Sequence, residues 1–171
     1  MHMNADDLRN LQAPLKEQYR EDPGSALIKL KATGTVGEGI SCKLDTGRAM
    51  VEAGLHPATG GNGMLACSGD LLLEALVACA GVTLSAVATA IGVEMTGGTI
   101  RAEGDLDFRG TLGVSKETPV GFKNIRLFFD LNTKATLEQM QSLEKLTERY
   151  CVVYQTLVDA VSVESRFQIT S

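Results

Sequence analysis

At 171 residues the chain is long enough for one domain or one compact protomer of a dimer, and its 44% hydrophobic content suffices for a core. Tryptophan is absent and aromatic residues make up 5%, so that core must be aliphatic. A net charge of −5 with no run of Lys or Arg excludes nucleic acid and an anionic membrane surface as main partners, and no uninterrupted apolar stretch is long enough to cross a bilayer. Residues 6–19 read as an amphipathic helix with Leu8, Leu11 and Leu15 on one stripe and Pro14 weakening it. Asp22-Pro-Gly-Ser then breaks the chain. Residues 26–33, 39–44 and 49–52 read as three strands of an antiparallel meander, with turns at Gly34 to Gly39 and at Thr46-Gly47.

Residues 54–69 are rich in Gly and Pro, lack periodicity and form a loop. Ser68 and Asp70 are both N-cap candidates for the helix that follows, which runs to about Ile91 and stops at Gly92. That helix is apolar on almost every side, the pattern of a buried central helix. Residues 99–108 and 124–131 read as strands joined by a Gly- and Pro-containing connection. Residues 136–148 form a second amphipathic helix, with Leu137, Met140, Leu143 and Leu146 on one side and Thr136 as its cap. A further helical piece covers 152–161, and 162–170 closes the chain as a strand.

This order defines an α+β domain over 23–171, preceded by a helical extension over 1–22. One sheet cannot cover a helix that is apolar all round, so a second protomer is expected to, as an intertwined homodimer. The N-terminus has no basic segment followed by an apolar run, so it does not read as a signal peptide and a reducing cytoplasm is expected. There the four cysteines, Cys42, Cys67, Cys79 and Cys151, are reactive or buried thiols rather than a disulfide frame. No two form a C-x-x-C and the histidines are only His2 and His56, so no metal site and no cofactor is expected.

Cys79 and Cys151 lie in separate helical runs, an arrangement that suits a thiol that reacts and a thiol that resolves. At these positions the chain resembles the osmotically inducible protein C (OsmC) family, which includes the organic hydroperoxide resistance proteins. The resemblance rests on Leu71-Leu-Leu-Glu-Ala-Leu-Val-Ala-Cys79, on Gly60-Gly61 shortly before that helix, and on Cys151-Val-Val-Tyr-Gln-Thr-Leu157. It implies an OsmC-like fold with antiparallel sheets around two cysteine-bearing central helices. It also implies a thiol peroxidase that reduces organic hydroperoxides, with Cys79 as the peroxidatic and Cys151 as the resolving cysteine, a Cys79–Cys151 disulfide, and a dithiol reductant.

The family opens the first helix with Pro-Glu, and that Glu pairs with an Arg. The matching positions here are Ser68 and Gly69, with Asp70 one step along, and Arg48 is a candidate for the Arg by type and region only. The unmatched pair motivates an alternative: an OsmC-fold protein without peroxidase turnover that binds an apolar small molecule at the dimer interface. For the auxiliary residues two readings stand side by side. Cys67 is an extra redox thiol or a pocket lining. His56 is a loop residue bonded to backbone or a catalytic base. Asp70 is a helix cap or orients a cation, and Arg48 is a solvated turn residue or serves the thiolate. Arg149, beside Cys151, is a further cation that could lower a thiol pKa. Cys42, alternating inward on its strand, reads as core.

Overall fold

The computed structural model describes residues 4–22, 33–36, 41–45, 50–113 and 115–169. Helix α1 spans Ala5–Glu21 with Pro14 inside it. Asn4 and Asp7 cap its start reciprocally, the Asp7 N–H donating to Asn4 Oδ1 (2.9 Å) and the Asn4 N–H to Asp7 Oδ2 (3.2 Å). Strands β1 (Thr33–Val36), β2 (Ser41–Asp45) and β3 (Met50–Gly54) form the expected antiparallel meander. Strand β1 takes in Gly34 to Val36, which the sequence reading placed in a turn. Thr33, Thr35 and Val36 are strand-forming β-branched residues, and the pairs Thr33↔Asp45 to Val36↔Cys42 claim a stretch read as turn. Most of the strand expected at 26–33, and the turn at Thr46-Gly47, lie outside the described residues.

The Gly-rich loop carries a short 3-10 turn at Pro57–Thr59 and a two-residue strand β4 (Ala66–Cys67). Strand β4 pairs with β3 in parallel, an exception to the antiparallel expectation, and feeds directly into α2 (Ser68–Ile91). Cys67 is therefore the N-cap residue, without a side-chain cap, while Ser68 and Asp70 fall inside the first turn. Neither is the cap, because the parallel pairing fixes the strand-to-helix switch one residue earlier than Ser68. At the other end Gly92 adopts the left-handed conformation (φ 71°), and the Val93 N–H donates to the Ala88 carbonyl at 2.9 Å. This closes the helix as the sequence predicts, and Val93 turns into the core.

Strands β5 (Met95–Asp105) and β6 (Asn124–Thr133) form a second antiparallel sheet. The connection between them contains a short helix α3 (Phe108–Thr111), so Phe108 is helical rather than part of the strand. Asp107 caps α3 and binds Arg109 (2.6 Å) and Lys123 (2.8 Å), which ties the connection to the start of β6. Helix α4 (Leu137–Tyr150) opens with the full capping box: the Gln139 N–H donates to Thr136 Oγ1 (3.2 Å) and the Thr136 N–H to Gln139 Oε1 (2.9 Å). The short α5 (Val152–Val158) follows.

The core is one stripe of α2, Leu76, Ala80, Leu84, Val87 and Ala88, pressed onto β5, β6 and α4. Leu143 of α4 is 1% exposed at its centre, flanked by Met140 and Leu146. Leu137, expected on the same side, is 77% exposed because it is the first helical residue and precedes the contact. Elsewhere on α2 positions are half-buried or open, and Val82 is 74% exposed. Among the described helices α2 alone is long and apolar enough to cross a membrane, with mean hydropathy 2.1 over its most apolar window, 28% of it buried. The sequence expectation counted uninterrupted apolar runs, which Asp70 and Glu74 shorten. The segment 162–169 pairs with no strand among the described residues, and its Phe167 is 99% exposed. A strand needs an edge that accepts its hydrogen bonds, and this segment meets none among the described residues.

Candidate active site

Two elements converge on a pair of sulfurs. Cys79 lies on α2 at the border of the buried stripe, half-buried, where it packs against the cluster of Leu76, Ala80 and Cys151. Cys151 is 1% exposed. It is not inside a helix as expected but between two: it closes α4, its N–H donating to the Thr147 carbonyl (3.0 Å), and its own carbonyl accepts from the Gln155 N–H (2.9 Å) of α5. Its extended backbone (φ −75°, ψ 108°) is what breaks the helix. The break has a chemical consequence. The first N–H groups of a helix have no partner inside it, and those of Val152 and Val153 are turned to the Cys79 sulfur.

The two thiols are thereby made unequal. Burial pushes the Cys79 thiol up, but the Val153 N–H, the Cys151 thiol, the Val152 N–H and the Thr83 hydroxyl all hydrogen-bond its sulfur, and the balance lies below the ordinary thiol value. Burial pushes Cys151 up; the Tyr154 N–H opposes this, while its hydrogen bond to Cys79 and the charge there raise it further, so the balance lies above the ordinary value. Cys79 therefore loses its proton more readily than Cys151. Cys67, Cys79 and Cys151 are free thiols in this structure.

The auxiliary candidates lie elsewhere. Cys67 and Asp70 are twelve and nine residues before Cys79 on α2, about 18 and 14 Å along the helix axis. Cys67 is half-buried, its sulfur beside Gly69. The His56 Nδ1 accepts the Ala58 N–H (3.0 Å) as the cap of the 3-10 turn, and its ring stacks on Phe108 with centroids 4.8 Å apart. Arg149 turns away from Cys151, its guanidinium over the Tyr150 ring at 5.6 Å. Arg48 and its turn lie outside the described residues. Among the described residues no three His, Cys, Asp or Glu side chains cluster as a metal site would require. Thr83 and the backbone N–H groups at the α4–α5 break are the site members the sequence reading missed. Thr83 had a signal, its i+4 spacing from Cys79, which places both on one helix face; the break had one in the gap between the helical readings 136–148 and 152–161.

An open cavity of about 1000 Å³ runs between β6, α4 and α5; Leu76 and Tyr154, which pack on the cysteine pair, reach its wall with Phe129, Met140, Glu144 and Glu148, while neither cysteine lines it. Thr147, in its wall, has a buried hydroxyl without a hydrogen-bond partner.

The fold thus belongs to the α+β class, with a cysteine helix laid on a sheet and a second cysteine at a helix break. The model of the OsmC-like protein family matches residues 61–166, and the chain belongs to that family. A comparison with curated protein sequences found no match. Among solved structures, the chain is similar to an OsmC-like protein from Mycoplasma pneumoniae (15% identity, TM-score 0.66, 78% of this chain and 89% of that one). It is also similar to an organic hydroperoxide resistance protein from Elizabethkingia anophelis (20%, 0.60, 76% and 89%) and to the organic hydroperoxide resistance protein OhrB of Bacillus subtilis (22%, 0.52, 80% and 96%). These likenesses establish the fold, and family membership agrees with a redox role at the level of the family.

Proposed function

We propose that this protein is a cysteine-based peroxidase that reduces organic hydroperoxides. The observation that carries the reading is the juxtaposition of Cys79, the thiol that loses its proton more readily, with the buried Cys151. The Cys79 thiolate attacks the terminal oxygen of the hydroperoxide; an S–O bond forms, the O–O bond breaks, and the alkoxide leaves and takes a proton as the alcohol. Cys79 is then a sulfenic acid. Cys151, losing its proton, attacks that sulfur; an S–S bond forms and the hydroxyl leaves as water. A dithiol, itself oxidised to a disulfide, restores both thiols. The solved relatives described as organic hydroperoxide resistance proteins support the substrate class, and the largely apolar cavity that reaches Leu76 and Tyr154 suits a substrate with an apolar body over hydrogen peroxide. The need for a dithiol reductant places the reaction in a reducing compartment, the cytoplasm.

The protein acts as a homodimer in this reading. Support comes from the outward face of α2, with Val82 exposed, and from the apolar, unpaired segment around Phe167. The same cavity favours a second reading, an apolar-ligand binder without turnover. Intact mass and peptide mapping before and after one equivalent of cumene hydroperoxide separate the two. A Cys79–Cys151 disulfide that a dithiol reverses is the expected outcome. Thiols that survive the peroxide would overturn the peroxidase reading in favour of the binder.

A further inference from the structure

We propose that Gln155 is a positioning residue of the cysteine pair, its backbone and side-chain amides bracketing Cys151 and holding that thiol against Cys79. The inference rests on the peroxidase reading for its role in turnover, but not for the clamp itself. In a continuous helix the Glu148 carbonyl would accept the Val152 N–H, four residues on. The extended backbone at Cys151 (ψ 108°) separates the two. The Gln155 side chain takes the vacated place, its Nε2 donating to the Glu148 carbonyl at 2.9 Å. The Gln155 backbone N–H donates to the Cys151 carbonyl, also at 2.9 Å. One residue of α5 thus grips Cys151 itself and the last turn of α4 before it.

The size of α5 explains why a clamp matters. The helix has seven residues, and helices shorter than about 12 residues are marginal without outside contacts. Its place is therefore set at its junction with α4. The neighbouring Thr156 does not help there: its hydroxyl donates to the Val152 carbonyl (2.8 Å) and stays within α5. The junction in turn sets the pair. Val153 and Tyr154 pack on the cluster of Leu76, Ala80 and Cys151, and Cys79 packs on the same cluster from α2. A disulfide tolerates Cα atoms no more than about 7 Å apart, so a small drift of the break takes Cys151 out of reach of Cys79. Gln155 is half-buried, so water claims the Glu148 carbonyl whenever the side chain lets go.

The test compares Gln155→Met, which removes the donor at similar length, with Gln155→Lys, which keeps a donor suited to the end of a helix. Thr156→Val is the control, losing a hydrogen bond inside α5 only. The readout is the fraction of Cys79–Cys151 disulfide in the full chain, by peptide mapping, in glutathione buffers of graded ratio. There one glutathione disulfide takes two electrons and two protons from the pair and becomes two glutathione thiols. Losing one hydrogen bond is expected to make Gln155→Met need a buffer about fivefold more oxidising for half-conversion. Gln155→Lys and Thr156→Val stay close to wild type. The Cys79 sulfenic acid formed by cumene hydroperoxide, trapped with dimedone, should persist longer in Gln155→Met by the same factor. Urea unfolding of each variant separates lost positioning from lost stability. A Gln155→Met curve that overlays the wild type, or a Gln155→Lys or Thr156→Val curve displaced as far as that of Gln155→Met, overturns the inference. A wild-type protein that forms the disulfide in glutathione but not with hydroperoxide refutes only the peroxidase reading; one that forms it in neither refutes both.

Discussion

One proton separates the two states of the cysteine pair, and the backbone decides where it sits. Cys79 receives N–H groups from Val152 and Val153; Cys151 sits in the turn that supplies them and is buried by it. Removing the resolving thiol should therefore trap the first oxidation product. In Cys151→Ser, one equivalent of cumene hydroperoxide is expected to leave a sulfenic acid at Cys79, detected as a dimedone adduct, with no disulfide. The serine hydroxyl still donates a hydrogen bond where the Cys151 thiol did, so oxidation of Cys79 at neutral pH should stay close to the wild-type rate. An unmodified thiol at Cys79 in that experiment counts against the two-cysteine mechanism. His56 illustrates the opposite case, a residue with catalytic chemistry whose Nδ1 is committed to capping a 3-10 turn.

The elements that hold the pair are α2, the β5–β6 sheet and α4, and their junctions carry the stability. Helix α4 matters most, because its C-terminal end places Cys151. Its capping box leaves both first-turn partners satisfied, so Thr136→Ala should cost about 1 kcal/mol in urea unfolding. Leu143→Ala, at the buried centre of the contact with α2, should cost about 2–5 kcal/mol, since it opens a void between elements that cannot easily collapse. If both variants cost the same few tenths, the contact of α4 with α2 is not what stabilises the site. Glycine sets one further junction. A Cβ on Gly61 would lie 1.7 Å from the Leu55 carbonyl oxygen, so the Gly-Gly loop closes on itself only without a side chain there.

At the scale of the whole molecule, one stripe of α2 is buried and positions such as Val82 stay exposed. The proposed dimer predicts twice the 18.2 kDa chain mass by light scattering, and Val82→Glu should shift the protein to the monomer, because a carboxylate in that contact would be desolvated without a counter-ion. A wild-type protein that is monomeric, or a Val82→Glu variant that stays dimeric, places the interface elsewhere or removes it. The apolar segment that ends the described chain belongs to the same question: Val163, Phe167 and Ile169 are exposed together, and water is a poor neighbour for them.

Periodicity and punctuation by themselves determined most of the elements: the helix ending at Gly92, the Thr136 cap, the two strands after α2, and the pairing of a cysteine helix with a second cysteine segment that the OsmC-like family model also matches. These are local properties, written in residues close together in the chain. Contacts between distant residues had to be seen in three dimensions. The parallel β3–β4 pairing moved the start of α2 and took the capping role from Ser68 and Asp70. The break at Cys151 turned two backbone N–H groups toward Cys79, a feature no side chain encodes. Only the fold could tell which of several candidate cysteines and cations share a site, because burial, hydrogen bonding and thiol acidity depend on neighbours that the sequence does not order.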